Sequence, residues 1–208
     1  MGTNTMTIYF GKPDEHKYDE TTLYNMFRFR HMIFHDRLKW DVNSLHGMEY
    51  DEFDTLNPYH MIGTNQQNQV EACWRILPTT GPYMLKDTFP QLLCGEPPPQ
   101  QDDIWELSRF AVAPVSDNSS SQAMLNDLTF SMLQLSYKFA IKNNISQYVT
   151  VTSAALERIL LHAGFPLQRM GNGQSQKIGK VTTVACRVAI NEQYRKAAFK
   201  PGLNQQAA

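Results

Sequence analysis

Extended and helical hydrophobic patterns alternate along this chain of 208 residues, and this alternation restricts it to folds in which helices pack on a sheet. The strand-type runs are residues 7–10, 70–77, 104–112, 148–152 and 181–190. The helical patterns are residues 19–38, 82–93, 122–142 and 154–162. We therefore predict an α/β (α+β) three-layer sandwich in a single domain, residues 1–208, with disordered ends at residues 1–5 and 201–208.

Composition excludes several classes of protein. Nineteen Lys and Arg residues balance 20 Asp and Glu residues, so no basic field favours nucleic acid or an anionic membrane. Cys73, Cys94 and Cys186 form no CxxC pair, which predicts neither a disulfide framework nor a zinc knuckle. No apolar run reaches the roughly 20 residues that span a bilayer, and no signal sequence is recognisable. We expect a cytoplasmic monomer without membrane insertion.

The first helical pattern contains a charged residue where a core residue is expected. Spacings of three and four residues place Arg30 between Phe27 and Phe34 on the apolar face. A guanidinium keeps its charge, so burial there requires carboxylate partners. Candidate partners follow in the segment MEYDEFD, residues 48–54, where acids alternate with aromatic residues. A solvated acidic turn remains the alternative for this segment.

Two predicted strands repeat this anomaly. Arg75 lies in ACWRIL, residues 72–77, and both Glu106 and Arg109 lie in WELSRFAV, residues 105–112. Regular alternation puts Glu106 and Arg109 on opposite faces. We therefore predict that the strand bulges or ends its regular pairing between them, as is common beside active sites. Structural ion pairs remain the alternative, although so many charges in apolar segments favour a polar cluster in a cleft.

Taken in order, these segments resemble the LuxI-type acyl-homoserine-lactone synthases, also called autoinducer synthases. Four blocks carry the resemblance: Arg30-x-x-x-Phe34 with Leu38-x-Trp40, Glu49-x-Asp51-x-Phe53-Asp54, WRILPTTGPYML at residues 74–85, and WELSRF at residues 105–110. The resemblance is close over residues 7–112 and looser beyond. Four blocks in the right order and spacing make coincidence improbable.

The resemblance implies a GNAT-like acyltransferase fold, with a splayed mixed sheet that admits an acyl-phosphopantetheine arm. It also implies the reaction. The amine of S-adenosylmethionine attacks an acyl thioester, and the methionyl carboxylate then displaces methylthioadenosine to close the lactone of a quorum-sensing signal. S-adenosylmethionine is a substrate, and we expect no cofactor.

This chemistry suggests a role for each candidate residue. The amine must lose a proton, and Glu106 is the predicted base, directly or through water. Burial beside Trp105 would increase its basicity, whereas Arg109 would decrease it. We assign the remaining charged residues to an electrostatic network that orders the N-terminal lid and holds the methionyl end: Arg30, Asp51, Asp54, Arg75 and Arg109. The S-adenosylmethionine site is expected to include Phe34, Trp40, Arg109 and Phe110, with the aromatic rings near the sulfonium or simply in the core.

Further residues are assigned to the acyl donor. Ser108 and Thr152 are candidates to contact the acyl chain near its third carbon. A threonine there resembles relatives that make oxo-substituted signals and is compatible with a 3-oxo or 3-hydroxy chain, but the sequence does not determine the oxidation state at that carbon. The donor is expected to be an acylated acyl carrier protein, with acyl-coenzyme A as the alternative. A basic patch for an acidic carrier is predicted at Arg158, Arg169, Lys177 and Lys180, unless these side chains are only solvated surface.

His31 and His35 are four residues apart, but no third metal ligand follows in pattern. We therefore predict no metal and interpret both as surface or packing histidines.

Two rival functions remain at this point. A GNAT-type N-acyltransferase for another amine normally has a glycine-rich pyrophosphate loop, and residues 114–121 contain no glycine. The other rival is a non-catalytic module that binds acyl carrier protein or a small signal, in which the charged residues would be structural.

Overall fold

The structure is a computed structural model that describes residues 6–113 and 126–200. These residues form two compact units. The first contains residues 6–76, 108–113 and 179–181, and the second contains residues 77–107, 126–178 and 182–200. The single domain over residues 1–208 stays a prediction, and the expected disorder of residues 1–5 and 201–208 lies outside the described residues.

The first long helix forms where the sequence predicts it. Helix α1, Glu20–Arg30, begins at Asp19, whose side chain accepts a hydrogen bond of 2.7 Å from the backbone N–H of Thr22. It continues directly into a π-helical segment, His31–Arg37. The predicted apolar face is confirmed, because Phe27, Arg30 and Phe34 are all buried. π-helical turns are rare in proteins, and those that occur are frequently found at functional sites.

An antiparallel sheet forms the rest of the first unit. Strand β1, Thr7–Gly11, pairs with β4, Tyr59–Thr64, and β4 pairs with β5, Val70–Pro78. The carboxyl half of β6, Ile104–Val112, follows β5 in the strand order. A short hairpin, β2 Ser44–Leu45 and β3 Met48–Glu49, precedes a 3-10 turn at Glu52–Leu56. The core of this unit is Tyr18, Met26, Phe27, Phe29, Ile33, Phe34, Ile62, Cys73 and Ala111.

The second unit combines parallel and antiparallel pairing, which makes the sheet mixed as predicted. The amino half of β6 runs parallel to β7, Gln147–Ser153. Strand β7 pairs antiparallel with β10, Val181–Ala189, which also pairs with β8, Leu167–Arg169, and β9, Gln176–Ile178. The helices are α2 Met84–Asp87, α3 Asp127–Lys142, α4 Ala154–Ala163 and α5 Glu192–Ala198, with a 3-10 turn at Pro90–Leu93.

Some boundaries differ from the sequence prediction. The predicted helix at residues 82–93 is two short helices, because Pro90 begins a separate 3-10 turn. Helix α3 begins at Asp127, and residues 122–125 of the predicted helix lie outside the described residues. Helix α4 ends as predicted at Gly164, which has a φ of +97° that favours glycine.

Strand β6 is irregular between Glu106 and Arg109, as the sequence predicts. Its ladder with β7 runs from Ile104 opposite Gln147 to Leu107 opposite Thr150, although β6 itself continues to Val112. Arg109 adopts a φ of +55°, in the left-handed region that side-chain-bearing residues rarely occupy. The regular alternation of faces is therefore interrupted at this point.

Across residues 6–113 and 126–200, every helix is too short or too polar to cross a bilayer. All three cysteines are free thiols, in agreement with the expected lack of a disulfide framework.

Candidate active site

Six buried charged side chains from the first unit form one ion-paired cluster, which we call the ionic network: Arg30, Glu49, Asp51, Asp54, Arg75 and Arg109. Arg30, at the end of α1, donates two parallel hydrogen bonds of 2.8 and 2.9 Å to the carboxylate of Asp54. Its Nε donates to Glu49 at 2.5 Å. Three acids and three arginines balance, which is what burial of so many charges requires.

Arg75 and Arg109 complete the network from the strands. Arg75 on β5 donates hydrogen bonds of 2.5 and 3.1 Å to the two oxygens of Asp51, and its Nη1 lies 2.9 Å from Asp54. Arg109 on β6 lies 2.7 Å from both Glu49 and Asp51. Each acid is therefore shared between at least two arginines, so the side chains hold one another in fixed positions.

The backbone fixes the acids independently of the arginines. Asp51 precedes the 3-10 turn at Glu52–Leu56 and accepts hydrogen bonds from the N–H groups of Phe53 and Asp54, at 3.0 and 3.2 Å. Asp54 accepts in return from the N–H of Asp51 at 3.0 Å. This reciprocal cap explains why the acids follow one another at a spacing of three residues.

Burial and charge pairing oppose each other within the network. Burial would raise the pKa of Asp54, but the neighbouring guanidinium groups of Arg30 and Arg75 outweigh it and hold that pKa well below its usual range. Burial would lower the pKa of Arg30, but Asp54 and Glu49 raise it. For Arg109 burial dominates over the attraction of Glu49, and its pKa is lowered.

The structure thus brings together the five charged residues of the predicted network. Sequence reasoning left Glu49 out of that set, although it lies in the acidic segment that supplies Asp51 and Asp54. Regular alternation would place Ser108 and Arg109 on opposite faces of β6, but both side chains reach the network. Ser108 Oγ accepts a 3.2 Å hydrogen bond from Arg75 while Arg109 contacts Asp51, because the left-handed backbone at Arg109 turns both side chains toward the network.

Glu106, the predicted base, belongs to the second unit. Its side chain is fully buried and accepts hydrogen bonds from the backbone N–H groups of Met84 at 3.0 Å and Leu85 at 2.7 Å. These N–H groups begin α2, so the carboxylate caps that helix. The glutamate is held in one orientation by rigid backbone donors, and its convergence with the ionic network stays a prediction.

The aromatic residues predicted for the S-adenosylmethionine site pack against other aromatic rings and against a guanidinium group. Phe34 stacks on Trp40 with ring centroids 5.3 Å apart, and the guanidinium of Arg109 lies 5.6 Å from the centre of the Phe34 ring. Phe110 packs edge to face against Trp74, with centroids 5.0 Å apart. The indole N–H groups of Trp40 and Trp74 are buried without a hydrogen-bond partner among the described residues.

The residues assigned to the acyl donor lie in several elements. Thr152 is half-buried on β7, opposite Val184 of β10. Arg169 forms a two-pronged ion pair with Glu157, with both contacts at 2.7 Å, so its charge is compensated within the protein. Arg158, Lys177 and Lys180 are exposed. The pairing of Arg169 with Glu157 therefore lowers the net positive charge of the predicted basic patch. The sequence spacing did not reveal this partner on α4.

Histidines occupy two contrasting environments, and only that of His60 was not predicted. His60 on β4 is buried near Arg30 and Arg75, and neither ring nitrogen has a hydrogen-bond partner among the described residues. Burial above all lowers its pKa to about 3, so the ring is neutral. On the surface, His31 and His35 lie beside the carboxylate of Asp36, and these three could hold a metal ion. Asp36 was not predicted as a third ligand because it is adjacent to His35 rather than a further turn away.

Comparison with known proteins decides the family. The family model described as "Autoinducer synthase" matches residues 14–198. An acyl-homoserine-lactone synthase of Pseudomonas aeruginosa is 37% identical over 205 residues, which covers 97% of this chain and 98% of the relative. This chain belongs to the autoinducer synthase family. The resemblance stated from the four sequence blocks is therefore confirmed.

Solved structures of the synthase family agree in fold. The crystal structure of the AHL synthase LasI superposes with a TM-score of 0.83 at 36% identity, over 95% of this chain and 96% of LasI. TofI, solved in a ternary complex with an inhibitor and MTA, gives a TM-score of 0.74 at 26% identity, over 93% of this chain and 95% of TofI. This synthase has the GNAT-like fold, a mixed sheet flanked by helices. It is an acyltransferase that makes an acyl-homoserine lactone, a quorum-sensing signal.

Proposed function

We propose that this synthase takes its acyl chain from an acylated acyl carrier protein and transfers it to the amine of S-adenosylmethionine. Lactone closure then releases methylthioadenosine. The buried ionic network is the main observation in support of this proposal, because it contains the charged residues of the four sequence blocks that belong to the first unit. The MTA found in the TofI complex supports the choice of S-adenosylmethionine as the amine substrate.

The side chains of the ionic network differ in their exposure to solvent. Arg30, Glu49, Asp54 and Arg75 are at most 1% exposed, whereas Asp51 and Arg109 retain 7% and 8% exposure. We assign the inner four to positioning and the outer two to the zwitterionic methionyl end. Arg109 would face its carboxylate and Asp51 its ammonium group, because each then meets the opposite charge.

Glu106 is the proposed general base. The amine of the substrate is protonated near neutral pH and must lose a proton before it attacks the thioester carbon. Glu106 accepts backbone hydrogen bonds at both carboxylate oxygens, and a carboxylate held in this way can take that proton directly or through water. The two backbone donors fix its position, as a base must be fixed relative to a bound substrate.

The aromatic and hydroxyl residues have supporting roles. Since Arg109 already lies over Phe34, we propose that Phe34 positions Arg109 and that Trp40 is the aromatic residue nearer the sulfonium or adenine. Phe110 would extend this surface. Ser108 and Thr152 would contact the acyl chain near its third carbon, and Ser108 retains its hydroxyl hydrogen for this purpose because it accepts from Arg75.

An acidic carrier would be attracted by exposed basic side chains. Arg158, Lys177 and Lys180 supply that charge, and Arg169 contributes less because Glu157 pairs with it. The transfer and the lactone closure need no cofactor, because a sulfonium is itself a good leaving group. A monomer in the cytoplasm remains our expectation.

The substitution Glu106→Gln tests the proposed base. Glutamine keeps a carbonyl acceptor for α2 but cannot take up the proton, so lactone formation should fall about 100-fold or more. Circular dichroism and S-adenosylmethionine binding should stay close to those of the unaltered protein. Glu192→Gln, which changes an exposed glutamate on α5, serves as the matched control. Lactone formation by Glu106→Gln within a few-fold of the control would exclude Glu106 as the base.

A further inference from the structure

We propose that His31, His35 and Asp36 form a binding site for one divalent transition-metal ion of the Zn²⁺ type. The three residues lie on the π-helical segment, outside the ionic network, and each offers one ligand atom within 4.8 Å of the other two. Two imidazoles and a carboxylate are ligands that zinc accepts readily, with water in the fourth position.

Ser44 orients His31 for this purpose. Ser44 Oγ contacts both the carbonyl oxygen of Met48, at 3.2 Å, and Nδ1 of His31, and we assign the hydroxyl hydrogen to Met48 so that Ser44 Oγ accepts from Nδ1–H of His31. In the neutral ring, Nε2 of His31 then carries a lone pair, and it lies 3.6 Å from Asp36 Oδ1. Zinc-binding histidines commonly have such a partner on the second nitrogen.

The distances suit a tetrahedral ion with little movement. Zinc bonds of about 2.0 to 2.1 Å separate neighbouring ligand atoms by roughly 3.3 Å, close to the spacing between His31 and Asp36. His35 Nδ1 lies 2.9 Å from Asp36 Oδ1 as a hydrogen bond, and the rings of His31 and His35 stack with centroids 4.6 Å apart. On metal binding, the His35 proton would shift from Nδ1 to Nε2, which frees Nδ1 to coordinate.

The ion would fix one segment of the first unit together with its contact to the β2–β3 hairpin. All three ligands lie on the π-helical segment that also carries Phe34, and the hydrogen bond between Ser44 and His31 links this segment to the hairpin. A bound ion would therefore stabilise residues 31–48 against opening, without a part in acyl transfer.

Zinc titration by calorimetry, with Co²⁺ absorption as a spectroscopic probe, tests this proposal on the full chain. We expect one ion per chain, with affinity reduced at least about tenfold by His35→Gln or Asp36→Asn and by a similar factor in Ser44→Ala. His162→Gln, an exposed histidine on α4, is the matched control and should bind normally. Circular dichroism would verify that each variant is folded.

Hydrogen exchange supplies a second readout. Zn²⁺ should slow exchange of residues 31–37 and 44–49 in the unaltered protein but not in His35→Gln. Absence of saturable binding, or equal binding in the ligand variants and in the control, would overturn the proposal. Neither result depends on lactone formation, so it would leave the proposed function untouched.

Discussion

At the scale of single residues, mutual neutralisation makes the ionic network possible. A buried arginine keeps its charge, so every guanidinium in the network is matched by a carboxylate within hydrogen-bonding distance. The sequence predicted Arg30 as a buried cation from its spacing to Phe27 and Phe34 alone. It could not assign partners, because the contact between Arg75 and Asp51 depends on long-range packing.

Asp54→Asn tests the stability that depends on this balance. The substitution leaves Arg30 and Arg75 with one uncompensated buried positive charge, and we expect a loss of about 3 to 5 kcal/mol in the free energy of unfolding. Urea denaturation measures it. Glu192→Gln, in an exposed pair with Arg195, should leave the unfolding midpoint nearly unchanged. Equal midpoints for the two variants would show that the network contributes little to stability.

His60 predicts a pH dependence of stability. Its pKa is lowered to about 3 in the folded state, chiefly by burial, while the unfolded chain takes up the proton near pH 6.5. As the pH falls from about 6.5 toward 3, the unfolded state binds a proton at His60 that the folded state does not. The free energy of unfolding therefore decreases over this range and is unaffected by His60 titration above it. His60→Phe should remove that part of the decline. The urea midpoint of the unaltered protein should therefore fall more steeply from pH 7 to pH 4 than that of His60→Phe, and parallel declines in the two proteins would contradict this reasoning.

At the scale of secondary-structure elements, the irregular strand β6 positions two residues that contact the ionic network. Its regular ladder ends after Leu107, and the left-handed backbone at Arg109 directs two consecutive side chains to one network. The need for an irregularity could be predicted from the spacing of Glu106 and Arg109. The position of Ser108 could not be predicted, because the face of the strand on which a side chain lies depends on the local backbone dihedral angles.

Paired substitutions at Arg109 test this backbone strain. Both Arg109→Gly and Arg109→Ala remove the guanidinium, but only glycine adopts a φ of +55° without a steric cost. We expect the glycine variant to be more stable than the alanine variant by about 1 kcal/mol in urea unfolding. An alanine variant of equal or greater stability, which is the usual order in regular strands, would contradict the assignment.

Elements missed by the sequence analysis share a physical cause. Strand β4 is buried at five of its six positions and therefore lacks the alternation that identifies a half-exposed strand. Helix α5 is only seven residues long, and β8 and β9 have three residues each, too short for a periodic signal. Long elements such as α1, β6 and α3 were predictable because their patterns extend over several turns or alternations.

At the scale of the whole molecule, the residues proposed for the reaction belong to several elements. The first unit contains the ionic network, and the second contains Glu106 with the helix that it caps. Four ordered sequence blocks were enough to predict the family, because each block contains polar residues that a core would otherwise exclude. The proposed acyl donor was inferred from surface charges, which the sequence pattern constrains far less.

Product analysis of the purified synthase tests the central claim most directly. The protein would be incubated with S-adenosylmethionine and either an acylated acyl carrier protein or the matching acyl-coenzyme A, and the products measured by mass spectrometry. We predict that acyl-homoserine lactone and methylthioadenosine appear in equal amounts, and faster with the carrier protein. A faster reaction with acyl-coenzyme A would revise the donor alone. Methylthioadenosine without lactone, or neither product with both donors, would contradict the account.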